Sequence, residues 1–331
     1  MKVLRLHAVG DLQIHEEPIP VVKAREKLVR LRAVGICGSD LHWFSEGGIG
    51  DAALAHPLVL GHEFSGETET GERVAVDPAI PCGQCEWCEK GHPNLCVNLK
   101  FAGHDRHDGA LRECMAWPEK CLHPLPDSLS DAEGAMLEPL GVAIHAVDLA
   151  KIKAGMRVGV FGCGPIGLLI IQLVRLSGAT EILATDRFAH RVEAAKGFGA
   201  SQAFLIEEDS LGGERRAAIQ KRGVDIAFEA AGAQEAVDDA FAAVRPGGKV
   251  ILVGIPDNDK TSFSASTARR KGLTIKLVRR MKHTYPRAVD LVWKGMVDVR
   301  SLVTHCFPFE QALEAFQVAK RREGLKVIIE I

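Results

Sequence analysis

RVGVFGCGPIGLLIIQLV, residues 157–174, decides the fold: a short apolar strand runs into a glycine turn, and the turn opens an apolar helix. Gly162, Gly164 and Gly167 allow a tight turn and let the backbone approach a pyrophosphate at the N-terminus of the helix that begins with Pro165 and Ile166. A GxGxxG pattern alone is a weak signal, but here it has the strand–turn–helix setting that dinucleotide binding demands. Asp186 ends the next strand, EILATD, nineteen residues beyond Gly167. A carboxylate there accepts hydrogen bonds from both ribose hydroxyls and repels a 2′-phosphate, which favours NAD. A local helix-capping aspartate is the simpler alternative. Arg187 and Arg191 nearby are suited to attract a 2′-phosphate, so NADP stays open at this point.

Outward from that turn, QAFLI, VDIAFEAAG, KVILVGI and LTIKLV read as further apolar strands, most of them separated by helical segments such as QEAVDDAFAAV. Six strands between about 157 and 278 match a doubly wound parallel α/β sheet. The first ~140 residues have a different texture. Runs such as KLVRLRAVGIC and ERVAVDPAI, interrupted by glycine and proline, imply an irregular β region with long loops. After the parallel-sheet region, YPRAVDLVWKGMV and EQALEAFQVAK read as amphipathic helices and LKVIIEI as a strand. That tail is too short for its own core and is expected to return to the N-terminal region. The domain expectation is therefore 1–141 with 279–331, and 142–278 between them.

With 331 residues, 47% hydrophobic and 25% charged, the chain has the balance of an ordinary soluble protein. Its formal charge of −2 is well mixed, with no basic stripe, so no nucleic-acid partner is expected. The longest apolar run, GLLIIQLV, is about half of what a bilayer needs, which argues against a membrane span. Met1 leads straight into KVLRL without a secretory pattern, so a cytoplasmic location is expected. Nine cysteines in a reducing compartment are better read as metal ligands or reactive thiols than as bridges.

Four of them, Cys82, Cys85, Cys88 and Cys96, lie in PCGQCEWCEKGHPNLC at C-x2-C-x2-C-x7-C spacing. Close spacing lets one loop bring four thiolates to one ion, and four protein ligands leave no place for a substrate, so the site should be a structural zinc. An iron–sulfur cluster uses the same ligands and remains the alternative. A second set, Cys37 in GICGSDLHWF and His62 with Glu63 in GHEFSG, offers a thiolate, an imidazole and a carboxylate. Three such ligands leave a fourth position free, as a catalytic zinc requires.

Together, CGSD, GHEFSG, the four-cysteine loop and GCGPIG, in this order and at these separations, resemble the medium-chain zinc-dependent dehydrogenases over essentially the whole chain. LEPLGVAIHA (137–146), VRRMKHTYP (278–286) and LVTHCFPFEQALEAF (302–316) are similar to the polyol branch, of which sorbitol dehydrogenase is typical. The resemblance implies a GroES-like β catalytic domain beside a Rossmann domain, two zinc ions per chain, and hydride transfer from a secondary hydroxyl of a polyol or sugar alcohol to NAD. It implies that Cys37, His62 and Glu63 hold the catalytic zinc, with Glu138 beside it. Ser39 would relay the substrate proton, Asp40 would brace His62, and His42 would belong to the catalytic set. Gly162, Gly164, Pro165, Ile166, Gly167, Asp186, Arg191, Val253, Gly254, Ile255 and Arg280 match cofactor-contacting positions. Trp43, Glu138, Arg280 and Met281 match the substrate pocket, though Trp43 and Met281 stand where the branch carries tyrosines. A threonine dehydrogenase or a simple secondary alcohol dehydrogenase is the alternative within the superfamily. A non-catalytic cofactor-binding protein is the alternative outside enzymes. A homo-oligomer, tetramer or dimer, is expected by resemblance.

Overall fold

The computed structural model describes residues 1–206 and 223–331. It divides into two compact units, Met1–Gly141 with Lys282–Ile331, and Val142–Met281. The first crossing falls inside helix Leu137–Ala150. The second comes three residues later than the boundary read from the sequence, so Arg279, Arg280 and Met281 belong to the parallel-sheet unit.

In that unit the strands Arg157–Phe161, Glu181–Asp186, Gln202–Leu205, Val224–Glu229, Val244–Leu252 and Thr274–Leu277 form one sheet. Every pairing is parallel. Taken in chain order, the strands lie side by side as third, second, first, fourth, fifth and sixth. This is the dinucleotide-binding order, with its switch point between the first strand and the fourth. Helix Pro165–Leu176 is buried continuously from Gly167 to Val174, which explains why it is apolar nearly all round rather than on one stripe. Phe161, Leu183, Val237, Phe241, Val250 and Leu252 build a core between the sheet and helix Gln234–Ala243.

The other unit is organised on strand Glu26–Gly35. Strand Glu63–Thr68 pairs with one side of it, placing Glu63 opposite Gly35. The C-terminal strand Lys326–Glu330 pairs with the other side at the same end, placing Ile328 opposite Gly35. The tail therefore completes the central sheet of this unit, with strand Val303–Pro308 parallel beyond it at the edge. Trp43, Phe44, Phe64, Leu111, Met115 and Phe316 fill the core. Tyr285, at the start of helix Tyr285–Trp293, donates its hydroxyl to the Val76 carbonyl at 2.6 Å and stacks on His123. No described helix is long and apolar enough to cross a membrane.

Candidate functional site

Three chain segments converge at the end of strand Glu26–Gly35. The strand stops at Gly35, and Cys37 caps helix Gly38–Glu46 two residues later. Glu63 opens the neighbouring strand Glu63–Thr68, and His62 immediately precedes it. One ligand atom from each of Cys37, His62 and Glu63 lies within 4.8 Å of the others. Glu63 and Asp40 are 1% exposed and His62 is 5% exposed, whereas Cys37 is half-buried. Gly35 makes this possible, because a Cβ there would fall 2.3 Å from a Glu63 carboxylate oxygen.

Asp40 fixes the group. One of its carboxylate oxygens accepts the Cys37 N–H at 2.9 Å and the other accepts the Gly61 N–H at 3.1 Å. The oxygen on Gly61 also lies 3.4 Å from His62 Nδ1. Burial works against the Asp40 charge, but His62 and the two backbone N–H groups outweigh it and hold the carboxyl below its usual range. Burial likewise opposes charge on His62, yet Asp40 and Cys37 draw its proton affinity well above the ordinary imidazole value. With Nδ1 turned to Asp40, Nε2 is the free ligand atom, and Ser39 Oγ lies 3.3 Å from it. His42 Nδ1 stands 3.1 Å from Glu46 Oε1, one helical turn on. Glu138, 5% exposed in the first turn of helix Leu137–Ala150, is not one of the three convergent donors.

Sequence reading missed Lys326. It is 3% exposed and its ammonium pairs with Glu63. Burial opposes its charge, but Glu63, Cys37 and Asp40 outweigh that and raise its proton affinity. The only available signal was a lysine opening the apolar run KVIIEI.

Cys82, Cys85, Cys88 and Cys96 also offer ligand atoms within 4.8 Å of one another. Gly83 and Gly91 adopt φ of 76° and 73° with open space around them, so glycine is needed there for conformation alone. The Cys82 thiol is drawn down to about 6, first by the Gln84 N–H. Cys88 is pushed up to about 12, first by burial. Four thiols this close cannot all ionise until a cation shares their charge. The donor set is closed, whereas that of Cys37 is open.

The glycine turn separates the requirements of its three glycines. Gly162 has φ of 103°, and a Cβ there would meet the Ala231 nitrogen at 2.7 Å. A Cβ on Gly167 would sit 1.9 Å from the Gly162 carbonyl oxygen. Gly164 meets nothing nearer than an Arg191 guanidinium nitrogen at 3.6 Å, so no internal contact requires glycine. The space over Gly164 suits a ligand's close approach to the backbone, the role that the second glycine plays against pyrophosphate. Asp186 accepts the Cys163 N–H at 2.7 Å and the Phe188 N–H at 2.9 Å, one on each carboxylate oxygen. Each oxygen keeps acceptor capacity for a ribose hydroxyl. The Arg191 guanidinium lies over the Phe188 ring. Arg280 holds φ of 55°, a conformation that costs a non-glycine residue about 1–2 kcal/mol and that concentrates at functional sites.

Comparison with known proteins places these features in a lineage. A family described as "Alcohol dehydrogenase GroES-like domain" matches residues 23–127, and one described as "Zinc-binding dehydrogenase" matches residues 165–294. The sorbitol dehydrogenase of Bacillus subtilis is 35% identical over 341 residues, covering 99% of this chain and 97% of its own. A probable D-xylulose reductase A of Arthroderma otae is 37% identical, covering 98% of this chain and 95% of its own. Among solved structures, an alcohol dehydrogenase from Escherichia coli complexed with NADH superposes with a TM-score of 0.91 at 28% identity, covering 100% of this chain and 99% of its own.

Proposed function

We propose a function from one premise: the chain belongs to the medium-chain zinc-dependent dehydrogenases, and its relatives include polyol enzymes. It oxidises a secondary hydroxyl of a polyol or sugar alcohol to a ketone, passing hydride to NAD. The observation that carries this reading is the open donor set of Cys37, His62 and Glu63 with the Ser39 hydroxyl beside the free imidazole nitrogen. Zinc held by these three residues would lower the hydroxyl pKa as a Lewis acid, and NAD would accept the hydride.

The protein's own part is binding and proton movement. Ser39 takes the hydroxyl proton, Asp40 keeps His62 oriented, and His42 belongs to the same helix face of the catalytic set. Substrate contact is assigned to Glu138, Arg280 and Met281 by likeness to the polyol branch; Trp43, matched to the same pocket, is 1% exposed and packs in the core. Gly162 to Gly167, Asp186, Arg191, Val253 to Ile255 and Arg280 bind the dinucleotide, with Asp186 selecting NAD by refusing a 2′-phosphate. The four-cysteine loop holds a second, structural zinc, giving two per chain. The protein works in the cytoplasm as a homo-oligomer.

A spectrophotometric screen for NADH formation across sorbitol, xylitol, L-threonine and butan-2-ol tests the reading. Turnover of a polyol with kcat/KM at least about tenfold above threonine and butan-2-ol is expected, because a site built for several hydroxyls leaves buried polar groups unpaired with poorer substrates. Activity on threonine alone would overturn the substrate class.

A further inference from the structure

At the end of the fourth strand of the parallel sheet stands Glu229, 1% exposed. Its register partners are Phe161 at the end of the first strand and Leu252 at the end of the fifth. It therefore occupies the switch point, where an open α/β sheet binds its ligand. One carboxylate oxygen accepts the N–H of Ala231 and the N–H of Gly232, both at 2.7 Å. The Glu229 carbonyl accepts the N–H of Val253 at 2.8 Å and of Gly254 at 3.1 Å. The second carboxylate oxygen lies beside Gly254, where a Cβ would come within 2.7 Å of it.

The two loops so held are in backbone contact with each other and with the glycine turn. A Cβ on Gly254 would meet the Gly232 nitrogen at 2.2 Å, and one on Gly232 would meet the Ile255 oxygen at 2.3 Å. A Cβ on Gly162 would meet Ala231 at 2.7 Å. Ala230 donates its N–H to the Phe161 carbonyl, tying the same loop to the strand that feeds the turn. Three strand-end loops thus lock around one acidic side chain, and two of them carry the residues assigned to the dinucleotide.

We propose that Glu229 is the positioning residue of the cofactor site, its carboxylate holding the 230–232 loop against both the Gly162 turn and the Val253–Ile255 loop. It touches neither substrate nor metal and acts only through backbone. Burial raises the proton affinity of Glu229, and the N–H groups of Ala231 and Gly232 work against that rise. Function at this place was not read from AFEAAG, because a glutamate ending a strand gives no sign of which N–H groups it will collect.

The inference rests on the NAD reading above, and direct NADH binding to the intact protein separates the two. Glu229→Gln is nearly isosteric but turns an acceptor into a donor, and Glu229→Asp keeps the charge on a shorter arm. Both are expected to fold, to keep wild-type zinc content, and to raise the NADH dissociation constant by about tenfold or more for Gln and by less for Asp. At saturating NAD the kcat should stay within about twofold of wild type while KM for NAD rises in step with the binding loss. Unchanged NADH affinity in both variants overturns the proposal, as does a fall in kcat with an unmoved KM. Failure of both to fold also overturns it, since the carboxylate would then serve the sheet's stability. Failure of the wild-type protein to bind NADH overturns the cofactor reading instead.

Discussion

Gly35 is a single residue on which the Cys37–His62–Glu63 cluster depends, because its missing side chain is the space that the Glu63 carboxylate and the Lys326 stem occupy. Removing one partner of a buried ion pair costs about 3–5 kcal/mol, since the remaining charge is left without a counter-ion. Lys326→Met should therefore cost about that much in the chelated protein. The zinc-loaded protein should lose less, because the ion becomes the cation for Glu63. Urea unfolding with and without chelator reads the difference, and equal losses in the two states would contradict the placement of zinc at Glu63. At Asp186 the residue-scale test is cofactor choice. Asp186→Ser removes the group that repels a 2′-phosphate while Arg191 remains, so the ratio of NAD to NADP efficiency should fall by at least about tenfold. An unchanged ratio would show that Asp186 serves only the Cys163 and Phe188 N–H groups. The donors that converge could be picked out because Cys37, His62 and the cysteine loop belong to short local patterns. Lys326 was not, because its meaning depends on a strand pairing that joins residues nearly three hundred positions apart.

Elements of the parallel sheet were legible almost one for one, since its strands are short apolar runs, although the outer strands Gln202–Leu205 and Thr274–Leu277 contain no buried residue. What the runs could not reveal is how neighbouring strands are fastened at their ends. Asp225, on the fourth strand, accepts the Arg157 N–H from the first at 2.7 Å and pairs with Arg245 on the fifth. Burial tends to raise its pKa, but the Arg157 N–H and the Arg245 guanidinium outweigh it and hold the carboxyl below its usual value. A carboxyl held low adds stability above its unfolded value and loses it as pH falls through the folded one. Asp225→Asn should accordingly lower the stability of the sheet at neutral pH. That deficit should begin to shrink below about pH 4, where the unfolded carboxyl takes up its proton, and should close as pH falls through the lower native value. A deficit that stays constant down to pH 2 in denaturant titrations would mean that the charge contributes nothing and only the side-chain shape matters.

At the scale of the molecule, the expectation that the C-terminal tail returns to the N-terminal region came from its being too short for a core. The structure gives that return a purpose, because strand Lys326–Glu330 brings Lys326 to Glu63. All four tryptophans, Trp43, Trp87, Trp117 and Trp293, lie in this unit, so intrinsic fluorescence reports on its fold alone. The residues proposed to meet substrate were least legible, because Trp43, Glu138, Arg280 and Met281 are single residues scattered along the chain without local spacing of their own. The central claim is that Cys37, His62 and Glu63 hold a catalytic zinc distinct from the one in the cysteine loop. Metal content and polyol-dependent NAD reduction of Cys37→Ser, with fluorescence as the check on folding, address it in one preparation. Cys37→Ser is expected to lower the zinc content from about two ions per chain to about one, to leave tryptophan emission unchanged, and to lower turnover by about a thousandfold or more. Two zinc ions per chain with wild-type turnover would contradict that claim.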